Sequence, residues 1–235
     1  MDCIKKTVFI TAGNRDIGYA LVQAYLEKDY VVYTTFRCTQ RSSVLLENPH
    51  PNLHRIQLDI KNPDSLKSLE SFLKGNPLDV IIHNACNFGY QANKIGELQS
   101  EDWQDSFYVN AIFPIQLSIA LKENIKKSTE KKVIFISSRR GSNTVNLKDS
   151  YKGRYAYRSS KAALNSAALA LSQDFAEDDI SVLTLHPGRV ATQLTNYNGM
   201  SPADSAHHII EQIEALTVRG SGQFLSADDG EKIGW

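Results

Sequence analysis

From end to end this chain of 235 residues alternates short runs of β-branched and aliphatic residues with longer segments of helical period. The runs are Thr7 to Thr11, Tyr30 to Phe36, His54 to Leu58, Val80 to His83, Lys132 to Ser137, Ile180 to His186 and Gly222 to Leu225. The helical segments lie near Ile17 to Lys28, Asp64 to Lys74, Ser100 to Lys126, Tyr155 to Ala176 and Pro202 to Thr217. Strand and helix in strict alternation build βαβ units, which place their strands in one parallel sheet. Runs such as Val133-Ile134-Phe135-Ile136 lack polar alternation, so they suit strands buried on both faces. The reading is a single-domain α/β protein, residues 1–235, with a Rossmann-type doubly wound parallel β-sheet of about seven strands and helices on both faces. No linker, repeat or low-complexity tract interrupts the rhythm.

Composition narrows what such a fold can serve. Lys plus Arg and Asp plus Glu both number 26, a balance that argues against nucleic acid or an anionic membrane as partner. Cys3, Cys38 and Cys86 are odd in number and far apart, which is no disulfide framework and suggests a reducing compartment. No metal-ligand spacing joins them to the histidines, so no metal is expected. The N-terminal residues lead into too short an apolar stretch for a signal peptide, and no run has the roughly 18 apolar residues of a membrane span. A cytoplasmic protein is the expectation.

In doubly wound sheets, ligands bind beyond the carboxyl ends of the strands. The first such loop, Thr11-Ala12-Gly13-Asn14-Arg15-Asp16-Ile17-Gly18, joins a strand to a helix, where backbone N–H groups can meet a pyrophosphate. With two glycines, a purely structural turn reads as well. Further on, Tyr157-Arg158-Ser159-Ser160-Lys161 sets a phenol and an ammonium four residues apart on one helix face. A cation near a phenol lowers its pKa toward the range of an acid/base catalyst. The same spacing recurs at Tyr90 and Lys94 in a polar loop without helical pattern, which reads as surface.

Taken together these segments resemble the short-chain dehydrogenase/reductase family, from Lys6 to the final tryptophan. The first loop matches the family's T-G-x-x-x-G-I-G at Thr11, Ile17 and Gly18, with Ala12 and Asp16 in place of two glycines and Gly13 beside the first. A carboxylate at residue 16 would repel a pyrophosphate, unless it turns to solvent or pairs with Arg15. Asn14 completes the loop. Leu58-Asp59-Ile60 resembles the segment that contacts adenine, and His83-Asn84-Ala85-Cys86 resembles N-N-A-G, with Asn84 and Ala85 retained. Cys86 reads equally as a small buried hydrophobe. Ser137-Ser138-Arg139-Arg140-Gly141 resembles I-S-S-x-x-G, and Pro187-Gly188-Arg189-Val190-Ala191-Thr192 resembles the P-G-x-V-x-T segment over the nicotinamide.

The resemblance implies a catalytic tetrad of Asn110, Ser138, Tyr157 and Lys161. Tyr157 would be the acid/base, Lys161 would lower its pKa and hold the nicotinamide ribose, Ser138 would orient the carbonyl, and Asn110 would support a proton relay. The second strand ends without the carboxylate that favours NAD(H); Arg37 and Arg15 match basic positions of NADP-preferring members, the lesser reading being two solvated surface side chains. NADP(H) is therefore the expected cofactor, with NAD(H) the lesser one. The final residues and the stretch around Tyr157 look most like the C-factor and sniffer-type carbonyl reductase branch. A small carbonyl or alcohol substrate follows, and the small residues Ala162, Ala163 and Ser166 allow either a homodimer or tetramer or a buried intramolecular face.

Arg139 and Arg140 follow the serine, and one of them facing inward would favour an anionic substrate. Residues 141–153 read as a small polar flap, and the short loop from Ala191 to Met200 suggests an open pocket that suits no bulky steroid-like ligand. The alternative function is a non-catalytic dinucleotide-binding sensor or signalling protein, which the altered first loop favours and the intact tetrad opposes. A hydrolase fits less well, since Ser138 lacks the G-x-S-x-G elbow.

Overall fold

The structure is a computed structural model that describes residues 5–89, 99–150 and 152–235. In chain order its elements are β1 (Thr7–Ile10), α1 (Asp16–Glu27), β2 (Val31–Phe36), α2 (Ser43–Glu47), β3 (Leu53–Gln57), α3 (Ser65–Leu73) and β4 (Val80–His83). There follow α4 (Ser100–Phe107), α5 (Phe113–Ala120), α6 (Lys122–Lys126), β5 (Lys132–Ile136), α7 (Asn143–Leu147), α8 (Tyr155–Phe175), β6 (Ser181–His186), α9 (Pro202–Ala215) and β7 (Gln223–Ser226). The seven strands form one sheet in the order β3-β2-β1-β4-β5-β6-β7, parallel at every pairing. Strand order reverses between β1 and β4, the switch point at which such sheets open a crevice.

The unbroken apolar runs are explained by two cores. Side chains alternate across a strand, so Val8 and Ile10 meet Leu21 and Val22 of α1 and Ile209 and Ile213 of α9 on one face. Phe9 points the other way, into a layer with Leu69 of α3, Leu117 of α5 and Leu164 and Leu171 of α8. Burying each large aliphatic side chain contributes about 1.5–3 kcal/mol, which makes polar substitutions here costly.

The segment expected as one helix over Ser100 to Lys126 is divided. A π turn at Tyr108–Ile112 separates α4 from α5, and α6 follows after Leu121. A 3₁₀ turn, Arg139–Gly141, leads into the polar flap, which contains α7, whose start is capped by the Ser142 hydroxyl accepting from Val145 N–H at 3.0 Å. Thr144 pins the flap to the end of the chain by donating from its N–H and its hydroxyl to the Trp235 carbonyl. Tyr90 and Lys94, the second copy of the spacing, and Cys3 lie outside the described residues. Among the described residues no helix is long and apolar enough to cross a membrane.

Candidate active site

At the switch point the loops after β1, β4, β5 and β6 and the start of α8 enclose a cleft of about 440 Å³. Thr11 is buried at the end of β1, and its hydroxyl accepts from the N–H groups of Asn84 and Ala85 at 2.9 Å each. Asn84 returns the contact, donating from its amide to the carbonyls of Thr11 and Ala12 at 3.2 and 3.1 Å. Ala12 and Gly13 in turn donate to the hydroxyl and carbonyl of Thr35 at 2.9 and 3.0 Å. These bonds fasten the first loop to two neighbouring strands.

Both glycines of this loop are required by packing. A Cβ on Gly13 would stand 2.1 Å from Thr34 Oγ1, and one on Gly18 would stand 2.2 Å from the Ala12 carbonyl oxygen. The two positions where the family motif carries glycine keep a glycine-like conformation without it: φ is 56° at Ala12 and 48° at Asp16. The Asp16 carboxylate lies 3.8 Å from Arg15 Nε, and Arg15 also donates to Gln193 Oε1 at 3.1 Å. No side chain caps α1, and Asp16, Ile17 and Gly18 at its start line the cleft. A helix N-terminus with uncapped N–H groups in a crevice fits a phosphate, so these residues suit a dinucleotide.

Tyr157 and Lys161 stand one turn apart on α8, both buried and both on the cleft wall. Lys161 Nζ donates to the Ile136 carbonyl at 2.8 Å, which holds the ammonium at the end of β5. The Phe88 ring tilts against the Tyr157 ring at 5.4 Å between centroids. Ser138 sits just behind the wall, where Ser137 is the lining residue. Its hydroxyl accepts from Arg140 N–H at 3.1 Å, which leaves its own hydrogen available to a substrate.

Asn110 lies inside the π turn and is 1% exposed. Its Oδ1 accepts from Asn87 N–H at 2.7 Å, and its amide donates to the Asn87 carbonyl at 2.7 Å and to Ser160 Oγ at 2.9 Å. It ties the loop after β4 to α8. Single π turns inside α-helices often mark functional positions, and this one holds the asparagine that the sequence motif leads one to expect at the site.

Of the other residues expected at the site, Arg15, Ile17, Gly18, Asn84, Pro187, Gly188, Val190 and Thr192 line the cleft. Thr11, Gly13 and Ala85 support it from behind. Arg37, Asn14, Asp59 and Ile60 lie outside that wall. Arg37 is exposed at the end of β2; Asn14 donates to the Arg41 carbonyl at 3.0 Å, bringing a further exposed arginine that sequence reasoning passed over. Asp59 caps its own turn by accepting from Lys61 N–H, and Ile60 packs on the core.

Neither arginine after the serine faces inward. Arg139 is exposed, and Arg140 pairs with Asp149 at 2.5 Å. A further cation on the wall, beside Arg15 and Lys161, is Arg154, the residue before α8, which no motif singled out. Residues 193–196 also line the cleft, held by the Thr195 hydroxyl donating to the Val190 carbonyl at 2.6 Å. Burial pushes the Cys86 thiol above its ordinary range, against the opposing pull of Lys161 beside it. Burial likewise lowers the His186 imidazole to about 4, with the Arg139 charge acting in the same direction.

A parallel sheet with this crevice, this first loop and a buried tyrosine and lysine one helical turn apart defines a dinucleotide-binding oxidoreductase architecture. The short chain dehydrogenase family matches residues 6–201. C-signal of Myxococcus xanthus is 32% identical over 160 residues, covering 68% of this chain and 93% of that protein. Among solved structures, an NADPH-bound carbonyl reductase from chicken fatty liver superposes with a TM-score of 0.89 at 30% identity, covering 98% of this chain and 99% of the other. The carbonyl reductase Sniffer of Drosophila melanogaster gives 0.86 at 28% identity, with 98% and 100% covered. The chain belongs to the short-chain dehydrogenase family.

Proposed function

We propose that the protein is an NADP(H)-dependent carbonyl reductase. The observation that carries the reading is the placement of Tyr157 and Lys161 on the cleft wall, facing the uncapped start of α1 across the space a dinucleotide needs. When bound, the nicotinamide supplies a hydride from its C4 to a carbonyl carbon. Tyr157 donates its phenolic proton to the carbonyl oxygen as negative charge develops there, so the product is an alcohol. The Lys161 ammonium stabilises the phenolate left behind, and its bond to Ile136 keeps it in place. Ser138, with its hydrogen uncommitted, orients the carbonyl oxygen. Asn110 fixes the loop after β4 against α8, which supports a proton path to Tyr157.

The NADP(H) preference rests on Arg15, Arg37 and Arg41 at the ends of β1 and β2, with no carboxylate at the end of β2. It agrees with the NADPH held by the chicken enzyme. A homodimer or tetramer seated on α8 belongs to the same proposal, since Ser166 and Ala170 stand exposed on a helix whose other face lies in the core. Light scattering of the purified protein measures that state. The functional test is fluorescence titration with NADPH and NADH, followed by assays on simple aldehydes and diketones. Tight NADPH binding with turnover supports the reading, binding without turnover supports a dinucleotide-binding sensor, and no nucleotide binding contradicts both.

A further inference from the structure

We infer that Arg154 holds an anionic group of the substrate, which makes the preferred substrates carbonyl compounds that carry a carboxylate. The inference rests on the carbonyl reductase reading and names the substrate class of that site. Three cations line the cleft, Arg15, Lys161 and Arg154. Arg15 is engaged by Asp16 and Gln193, and Lys161 is held by the Ile136 carbonyl. Among the described residues, Arg154 makes no side-chain hydrogen bond and no ion pair, and the acidic residue that shares the cleft wall, Asp16, is the one beside Arg15. A half-buried guanidinium that meets no counter-charge among the described residues is an arrangement a ligand can complete, and its planar fork matches a carboxylate.

Its position points the same way. Arg154 is the residue before α8 and Tyr157 is the third residue within it, so the two side chains leave the same end of the helix, within about one 5.4 Å turn. Phe88 supplies an apolar surface beside Tyr157. A substrate with its carbonyl at Tyr157, an apolar body on Phe88 and a carboxylate at Arg154 uses all three. The backbone there is unusual as well. Gly153 and Arg154 are both left-handed, at φ 76° and 52°, a conformation long side chains rarely adopt. Arg140, held by Asp149, and the exposed Arg139 leave this role to Arg154.

The test compares 4-formylbenzoate with 4-formylbenzamide, a pair that differs in charge at one end, using the NADPH-loaded protein. The acid is expected to exceed the amide at least tenfold in kcat/KM. Arg154→Gln is expected to bring the ratio close to one, chiefly through KM for the acid, while Arg154→Lys keeps a ratio above one. Equal rates for acid and amide in the unaltered protein, or equal losses on both in Arg154→Gln, overturn the inference. If neither aldehyde is reduced, the catalytic reading fails separately. Arg154 is then judged by equilibrium binding of 4-hydroxymethylbenzoate and its amide: tighter binding of the acid that Arg154→Gln removes sustains the inference, and equal binding overturns it.

Discussion

Ala12 and Asp16, four residues apart where the turn after β1 enters α1, both hold left-handed backbone, at φ 56° and 48°. The turn has kept the shape that two glycines would give it without keeping the glycines. A non-glycine residue in this region costs about 1–2 kcal/mol, and less for aspartate, whose side chain tolerates it. Glycine recovers that strain but adds about 0.4–1 kcal/mol of unfolded-chain entropy. Ala12→Gly is therefore expected to stabilise the fold by about 1 kcal/mol and Asp16→Gly by less, read from urea unfolding midpoints. Asp16→Gly should also tighten NADPH binding, because it removes a carboxylate from the phosphate end of the cleft.

Asn110 reaches Asn87 through two bonds and Ser160 through a third. Asn110→Ala leaves these partners unpaired, and each buried polar group left without a partner costs about 1–3 kcal/mol. Thermal and urea unfolding should show a loss of about 2 kcal/mol or more. Turnover should fall at least tenfold, since the loop bearing Phe88 is released from α8.

Much of this architecture was legible in the sequence because its strands are buried on both faces. Runs such as Val133 to Ile136 and Val80 to Ile82 have no polar alternation, which suits a sheet covered on both sides. Tyr157 and Lys161 were legible because their spacing sits in a strongly helical segment. The π turn was not. Tyr108 to Ile112 runs on within one long helical segment, and although Pro114 at the start of α5 removes a backbone donor there, nothing in the sequence shows that Asn110 reaches Asn87 and Ser160, distant in the chain. Arg154 escaped for a different reason: a cation in a polar loop reads as surface, and its place on the cleft depends on left-handed backbone at residues 153 and 154. The direction of Arg140 was equally hidden, being decided by Asp149 nine residues on.

Protonation of two histidines, His83 buried and His186 half-buried, shapes the acid side of the stability curve. His83 donates from Nε2 to Ser118 Oγ at 2.7 Å, because Ser118 gives its own hydrogen to the Pro114 carbonyl; among the described residues Nδ1 has no partner. Burial lowers His83 to about 3 and His186 to about 4, from an ordinary 6.5. Both folded values are depressed, so the unfolded chain takes up the protons first. The stability they contribute is complete above about pH 6.5 and is lost as pH falls toward 4 and below. Each group adds a slope of up to about 1.4 kcal/mol per pH unit in that window. Melting curves between pH 7 and 4.5, above the carboxylate range, should show the loss, and His83→Asn should flatten it.

Arg37, which the proposal assigns to the 2′-phosphate of NADP(H), stands exposed just after β2. A charge-assisted contact in so exposed a place is worth about 1.4 kcal/mol, or a factor of ten. Arg37→Ala is expected to weaken NADPH binding about tenfold at low salt and to leave NADH nearly unchanged. Equal effects on the two nucleotides would place the 2′-phosphate elsewhere.

The central claim, that Tyr157 gives the proton while the cleft holds the nucleotide, is tested most directly by Tyr157→Phe. The measurement is NADPH affinity and aldehyde-dependent NADPH oxidation on the same preparation. The account predicts an NADPH dissociation constant within about threefold of the unaltered protein, with turnover reduced at least a thousandfold, about 4 kcal/mol of transition-state stabilisation. Turnover that persists near its original rate with phenylalanine at residue 157 would contradict it.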